Sequence, residues 1–329
     1  MTSQSNLRGA LLAMLSFSVY ATSDAMVKYI GASYSPFQNI FFSVLFSFPL
    51  VTLLLVSDRS EENLIPRFPV MTLARSAITV VNALCGFYAF AVLPLSEAYS
   101  IFFASPLLIT LFAIPMLGEK VGLHRSLAIV VGLAGVLIVM RPGQAHVGLG
   151  HLAALAAATL FAVNSVLVRK AGQSERSVVI MLYPMLANFV VTAVALPFVY
   201  QPMPIEHLGL IAAMSALGFA GGLLSIAAYR RAPAVIVAPM QYLQIIWATI
   251  YGSLIFHEGH DVWTAAGSAV IIASGIYIVL REDKPEVSVT RPVLQTGSHL
   301  DPAATARMGF FFRLFEARLH RKSERDDHS

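Results

Sequence analysis

Apolar residues in this chain run in long continuous stretches and do not alternate with polar ones. Ten stretches stand out: 7–30, 37–57, 70–93, 97–117, 123–141, 149–169, 178–200, 208–229, 234–256 and 262–281. About 20 apolar residues in helical form cross a hydrocarbon core of about 30 Å. Continuous apolarity reads as helices, since a barrel strand would alternate. The pattern predicts an all-α, polytopic membrane protein with ten transmembrane helices.

The pattern also repeats. Pro94 to Pro233 and Glu119 to Glu258 are each a step of 139 residues, while Gly9 to Gly150 and Lys28 to Arg169 are each a step of 141. Two features keeping one spacing point to duplication, and a loop absorbs the difference of two residues. The expected organisation is a first five-helix repeat over 1–145, a second over 146–283, and a cytoplasmic tail over 284–329. Lysine and arginine fix the expected orientation. With the N-terminus in the cytoplasm, eleven fall in or beside the inner connections and only Lys28 and Arg141 lie on the outer side. An odd number of spans per half then inverts the second half, giving a 5+5 inverted-topology repeat.

Composition agrees with a membrane protein, since 57% of residues are hydrophobic, 12% are charged and the mean hydropathy is +0.72. So few charges could not cover a soluble surface. The single cysteine, Cys85, rules out an intrachain disulfide and reads as a small packing residue. The first run is longer than a secretory h-region, with only Arg8 ahead of it, and reads as a retained helix.

Polar residues inside the runs are the candidates for chemistry. Asp24 and Lys28 stand four apart on one face of the first span, a spacing that permits pairing and lowers the cost of either charge. Glu97 follows Pro94 by three residues, where the first turn of a helix favours an acid. Pro106 and Pro115 interrupt the fourth run and Pro239 the ninth, and a proline frees a carbonyl that a transporter can aim at a cavity. A substrate cavity is expected from Asn82, Tyr88, Tyr99, Ser105, Asn164, Tyr183, Gln241, Gln244 and Trp247, with Asp24, Lys28 and Glu97 as coupling candidates. Glu119-Lys120 and His257-Glu258 read as span terminators, and runs five and ten as scaffold. No metal or cofactor is expected, and the scattered histidines and missing nucleotide-binding loop argue against an enzyme.

After Glu282 the composition turns to Pro, Ser, Thr and charge, a linker. Met308, Phe311, Phe312, Phe315 and Leu319 then recur at helical spacing among Arg307, Arg313, Arg318, Arg321 and Lys322. This predicts an amphipathic helix on anionic lipid of the inner leaflet, the competing reading being a disordered basic tail. The pI of about 9.2 therefore reflects membrane orientation and not nucleic-acid binding.

Leu93-Pro94-Leu95-Ser96-Glu97-Ala98, Gly118-Glu119-Lys120, the stretch from Gly132 to Arg141-Pro142-Gly143, and Asp24-Ala25-Met26-Val27-Lys28 together resemble the EamA type of the drug/metabolite transporter superfamily. The resemblance covers residues 7–282, and His257-Glu258-Gly259 departs from the Gly-Glu of many relatives. It implies a bacterial inner-membrane protein in which spans one to four and six to nine surround a cavity, with five and ten peripheral. It further implies secondary transport of a small metabolite by alternating access, with proton coupling as one form. Aromatic or heterocyclic substrates such as S-adenosylmethionine or riboflavin are favoured, and export of amino acids or drugs is the alternative. A receptor or assembly subunit is the third reading. The bilayer and a small-molecule substrate are the expected partners, and a homodimer stays open.

Overall fold

The computed structural model describes residues 3–57, 65–118, 122–141, 147–171, 177–259 and 261–282, and among them every regular element is helical. The predicted tail helix and the Glu119-Lys120 pair lie outside the described residues. The first half comprises α1 (Ser3–Gly31), α2 (Pro36–Ser57), α3 (Pro69–Val92), α4 (Leu95–Phe102), α5 (Ser105–Leu117) and α6 (Leu123–Met140). The second comprises α7 (Leu149–Ala171), α8 (Ser177–Val199), α9 (Ile205–Arg231), α10 (Ala234–Val237), a 3-10 turn over Ala238–Tyr242, α11 (Leu243–Leu254) and α12 (Val262–Glu282). Taking Leu95–Leu117 as one span, six helical segments among the described residues are long and apolar enough to cross a membrane, and shorter apolar helices lie at Pro36–Thr52, Ser126–Met140 and Val262–Ile278.

The fourth and ninth runs are each broken in two. Pro106 occupies the first turn of α5, where its missing N–H costs nothing, and the Ser105 hydroxyl donates to the Phe102 carbonyl at 2.6 Å across the break. Pro239 does the same for the 3-10 turn between α10 and α11. Pro115, expected to interrupt the fourth run as well, sits inside α5 close to its end, where Gly118 closes the helix in the left-handed conformation at φ 70°.

Packing relates the halves by exchange. α1 lies on α9 as α7 lies on α3, α2 on α9 as α8 on α3, and α1 on α11 as α7 on α4 and α5, while α2 with α8 and α6 with α12 are self-matching pairs. Aromatic rings fill the centre beside the breaks: Phe90 meets Tyr99 and Phe102 edge-on, with centroids 5.4 and 5.0 Å apart, and Phe103 meets Tyr242 at 5.0 Å. These contacts lock the broken helices to α3 and to one another.

α6 and α12 approach through glycine. A Cβ at Gly267 would lie 2.6 Å from the Gly135 carbonyl, and one at Gly135 would lie 3.0 Å from that of Gly267. Backbone cannot step aside as a side chain can, so small residues set this helix separation. Gly267→Val should lower the melting temperature of the purified protein, at an overpacking cost of about 2 kcal/mol, whereas Gly209→Ala, inside α9 with nothing within 4 Å, should not lower it. At one end of this pair Asp261 accepts from the Thr264 amide and hydroxyl at 2.9 and 2.8 Å and meets Arg141 at 2.9 Å. Partial burial pushes its carboxyl up, but those donors and the guanidinium outweigh that and hold it below the usual carboxylate range.

Candidate functional site

A carboxylate inside an apolar helix survives only with donors or water around it. Asp24, on α1, is 8% exposed. The Tyr99 hydroxyl donates to its Oδ2, and the buried Gln244 side chain lies beside the same tyrosine. Tyr99 stands in the last turn of α4 and Gln244 in the first turn of α11. One helix break thus delivers a tyrosine to the carboxylate and the other a glutamine to that tyrosine. A continuous helix at either place would rotate these residues to another face.

The ladder between α1 and α11 extends the site. Trp247 Nε1 donates to Ser18 Oγ at 2.8 Å, and the Tyr251 and Thr22 hydroxyls share a hydrogen bond of 2.8 Å. Both pairs use the i, i+4 spacing, so the two helices run in register. The Trp247 and Tyr251 rings stack with centroids 5.5 Å apart and planes 24° apart. Ser18 and Thr22 were not among the expected site residues. Their signal was present as hydroxyls at a helical interval in an apolar run, but such hydroxyls usually satisfy their own backbone, as both also do here.

The other expected residues divide among separate places. Asn164, on α7, accepts from Arg75 Nε at 3.2 Å, and Arg75 also donates to the Ile180 carbonyl at 3.5 Å. Arg75, within the expected third span and one of the eleven charges counted to the inner side, lies on α3 and is 3% exposed, so a second polar group joins α3, α7 and α8. Asn82 is buried on α3, two turns from Arg75 on the same face. Tyr88 lies further along α3 and Tyr183 on α8, both half-buried and joined to the Asp24 group by none of the hydrogen bonds described above. Ser105 is fully buried in the α4–α5 break. Gln241 sits in the 3-10 turn with its Nε2 enclosed and unpartnered.

Lys28 and Glu97 leave the centre altogether. Lys28 does not pair with Asp24 as its spacing allowed. It meets Glu258 at 2.8 Å and donates to the Leu93 carbonyl. Glu97 meets His151 of α7 at 2.8 Å, and the α4 N-terminus is served instead by Glu258, which accepts from the Leu95 amide at 2.9 Å. Glu258 therefore does more than end a span. Run ten is also less bare than expected, because Ser268 of α12 bonds Ser100 of α4. No group of three His, Cys, Asp or Glu side chains among the described residues is placed to hold a metal.

Broken helices in a duplicated, exchange-symmetric bundle, meeting at a buried carboxylate beside stacked aromatics, are the arrangement from which multi-pass transporters build a midplane site. The chain belongs to the EamA-like transporter family, whose model matches residues 7–141 and again 148–281. It is 25% identical over 271 residues to a protein named S-adenosylmethionine uptake transporter from Rickettsia bellii (strain RML369-C), the match covering 82% of this chain and 93% of that protein. It is 27% identical over 274 residues to a protein named pseudopaline exporter CntI from Pseudomonas aeruginosa (strain UCBPP-PA14), covering 82% and 94%. A solved crystal structure, 19% identical, superposes with a TM-score of 0.56 over 86% of this chain and all of the other, a likeness of fold.

Proposed function

We propose that this chain is a secondary transporter that moves a small cationic or zwitterionic metabolite carrying a planar heterocycle, of the S-adenosylmethionine kind, by alternating access of two inverted halves. The observation that carries the reading is the Asp24–Tyr99–Gln244 group beside the Trp247–Tyr251 stack. A carboxylate attracts a cationic centre, an amide orients the polar part, and stacked rings receive a flat one. The relative named for S-adenosylmethionine uptake supports the same chemistry, while the one named as an exporter supports movement in the other direction. Asp24 also serves as the carboxylate that couples flux to a proton or cation, and the Arg75–Asn164 group closes the opposite side of the cavity.

The ten-span, 5+5 inverted arrangement draws support from the doubled family match and the exchange-symmetric packing. The bias of lysine and arginine supports both termini on the cytoplasmic side of a bacterial inner membrane. An impermeant thiol reagent should label a cysteine at Arg230 only from the cytoplasmic face; labelling from outside would reverse the orientation. The tail binds anionic lipid, and truncation after Lys284 leaves transport intact. Flux of a radiolabelled panel led by S-adenosylmethionine, measured into vesicles holding the purified protein, tests the function. Saturable uptake of at least one panel member is expected, and none with any member would overturn the reading.

A further inference from the structure

A charged contact between the halves lies one helical turn from the Asp24 group. Lys28 follows Asp24 on the same face of α1, and its ammonium is held by the Glu258 carboxylate at 2.8 Å, the Leu93 carbonyl and the Phe256 ring, whose centroid is 5.3 Å away. The other Glu258 oxygen accepts from the Leu95 amide at 2.9 Å. One ion pair thus joins α1, the α3–α4 turn and the α11–α12 connection, which come from both halves.

The chain is shaped to bring Glu258 there. His257 takes a left-handed conformation, φ 54°, which non-glycine residues rarely adopt. This turns the connection back so that the Glu258 amide bonds the Gly252 carbonyl at 2.8 Å. Gly252 leaves room for the carboxylate, since a Cβ there would stand 2.7 Å from Glu258 Oε2. Behind Glu258 a cavity of about 280 Å³ opens between α4, α11 and α12, lined by Ser96, Thr249, Ser253 and Thr264 among others. The carboxylate therefore borders open space that these hydroxyls line together with the Asp261 carboxylate and apolar side chains such as Ile245 and Ile272.

The same end is fastened at its edges by other bonds between halves. Tyr34 meets His207 at 2.8 Å, and Gln38 exchanges two hydrogen bonds with the Gln201 backbone at 2.7 and 2.8 Å. Those lie around α2, whereas the Lys28–Glu258 pair sits over the carboxylate itself.

We propose that Lys28 and Glu258 form a latch closing this end of the transport cavity over Asp24, and that the end opens when the carboxylate leaves Lys28 for the cavity behind it. The proposal rests on the alternating-access reading, but its test does not need transport. With Cys85→Ser as background, Thr22→Cys places a thiol beneath the latch, and a small water-soluble thiol reagent is applied to the solubilised protein. Labelling should be slow in that parent, and Lys28→Met and Glu258→Gln should each speed it by about tenfold or more, as expected for loss of one partner of a half-buried pair. Lys28→Arg, which keeps the charge, should stay within about twofold. Gly252→Ala keeps both charges while crowding the carboxylate, so it should also speed labelling, and it serves where a charge variant fails to elute as a single species. Unchanged rates in Lys28→Met and Gly252→Ala would overturn the latch. Faster labelling without saturable flux of any metabolite would leave the latch standing and remove the transport reading, while saturable flux with unchanged labelling would do the reverse.

Discussion

Asp24→Asn should abolish accumulation against a gradient while leaving exchange of substrate across the membrane. The asparagine keeps the shape and still accepts from Tyr99, but it cannot take up or release a proton, nor balance a cation. Counterflow in substrate-loaded vesicles measures the exchange, and uptake driven by an imposed pH gradient measures the coupling. Uphill accumulation that survives with unchanged pH dependence would remove Asp24 from the coupling role. Tyr99→Phe removes one donor from the carboxylate and should act in the same direction more weakly, since a hydrogen bond to a charged group contributes about 1.5–3 kcal/mol. The pair Asp24→Ala with Lys28→Ala separates this account from the simpler one that the spacing suggests. Were Lys28 the partner of Asp24, removing both would restore function. Because Lys28 is bound to Glu258, the double variant should instead be at least as impaired as either single one.

Much of the architecture was legible in the sequence for a physical reason. A membrane demands long apolar segments, and a duplicated chain repeats its punctuation, so the helical runs, the matching spacings of Pro94 with Pro233, and the breaks at Pro106 and Pro239 could all be read from one chain. Partner choice was less legible. Asp24 and Lys28 have a spacing that permits pairing, but Tyr99, 75 residues away, and Glu258, 230 residues beyond Lys28, take them up separately. No periodicity within a helix encodes a contact across the bundle. The partners of Arg75 were hidden for a related reason: its place in the third span was readable, but Asn164 and the Ile180 carbonyl, which it bonds, stand on neighbouring helices. Glu258 looked like a terminator because the turn at His257, which folds it inward, depends on a backbone conformation that side-chain chemistry does not announce. Ser18 and Thr22 stayed hidden because hydroxyls are common in membrane helices and only their alignment with Trp247 and Tyr251 makes them part of a site.

Trp247→Ala should weaken substrate binding with little effect on the maximal rate, and the loss should depend on the substrate's ring. Trp247 stacks on Tyr251 and donates to Ser18, so its removal takes away one wall of the aromatic face and a tie between α1 and α11. Stacking of a planar base on an aromatic side chain contributes about 1–3 kcal/mol, so KM for a heterocyclic substrate should rise by about tenfold. A substrate with the same charged groups but no ring should lose little. Trp247→Phe keeps a flat face without the indole N–H and should recover most of the affinity. Gln244→Ala should instead weaken ring-bearing and ring-free substrates alike, because its amide serves the Tyr99–Asp24 group and not the stack. Equal KM for ringed and ringless substrates in Trp247→Ala, each measured in vesicles at matched protein density, would show that the aromatic face receives no substrate and supports only the packing of α1 against α11.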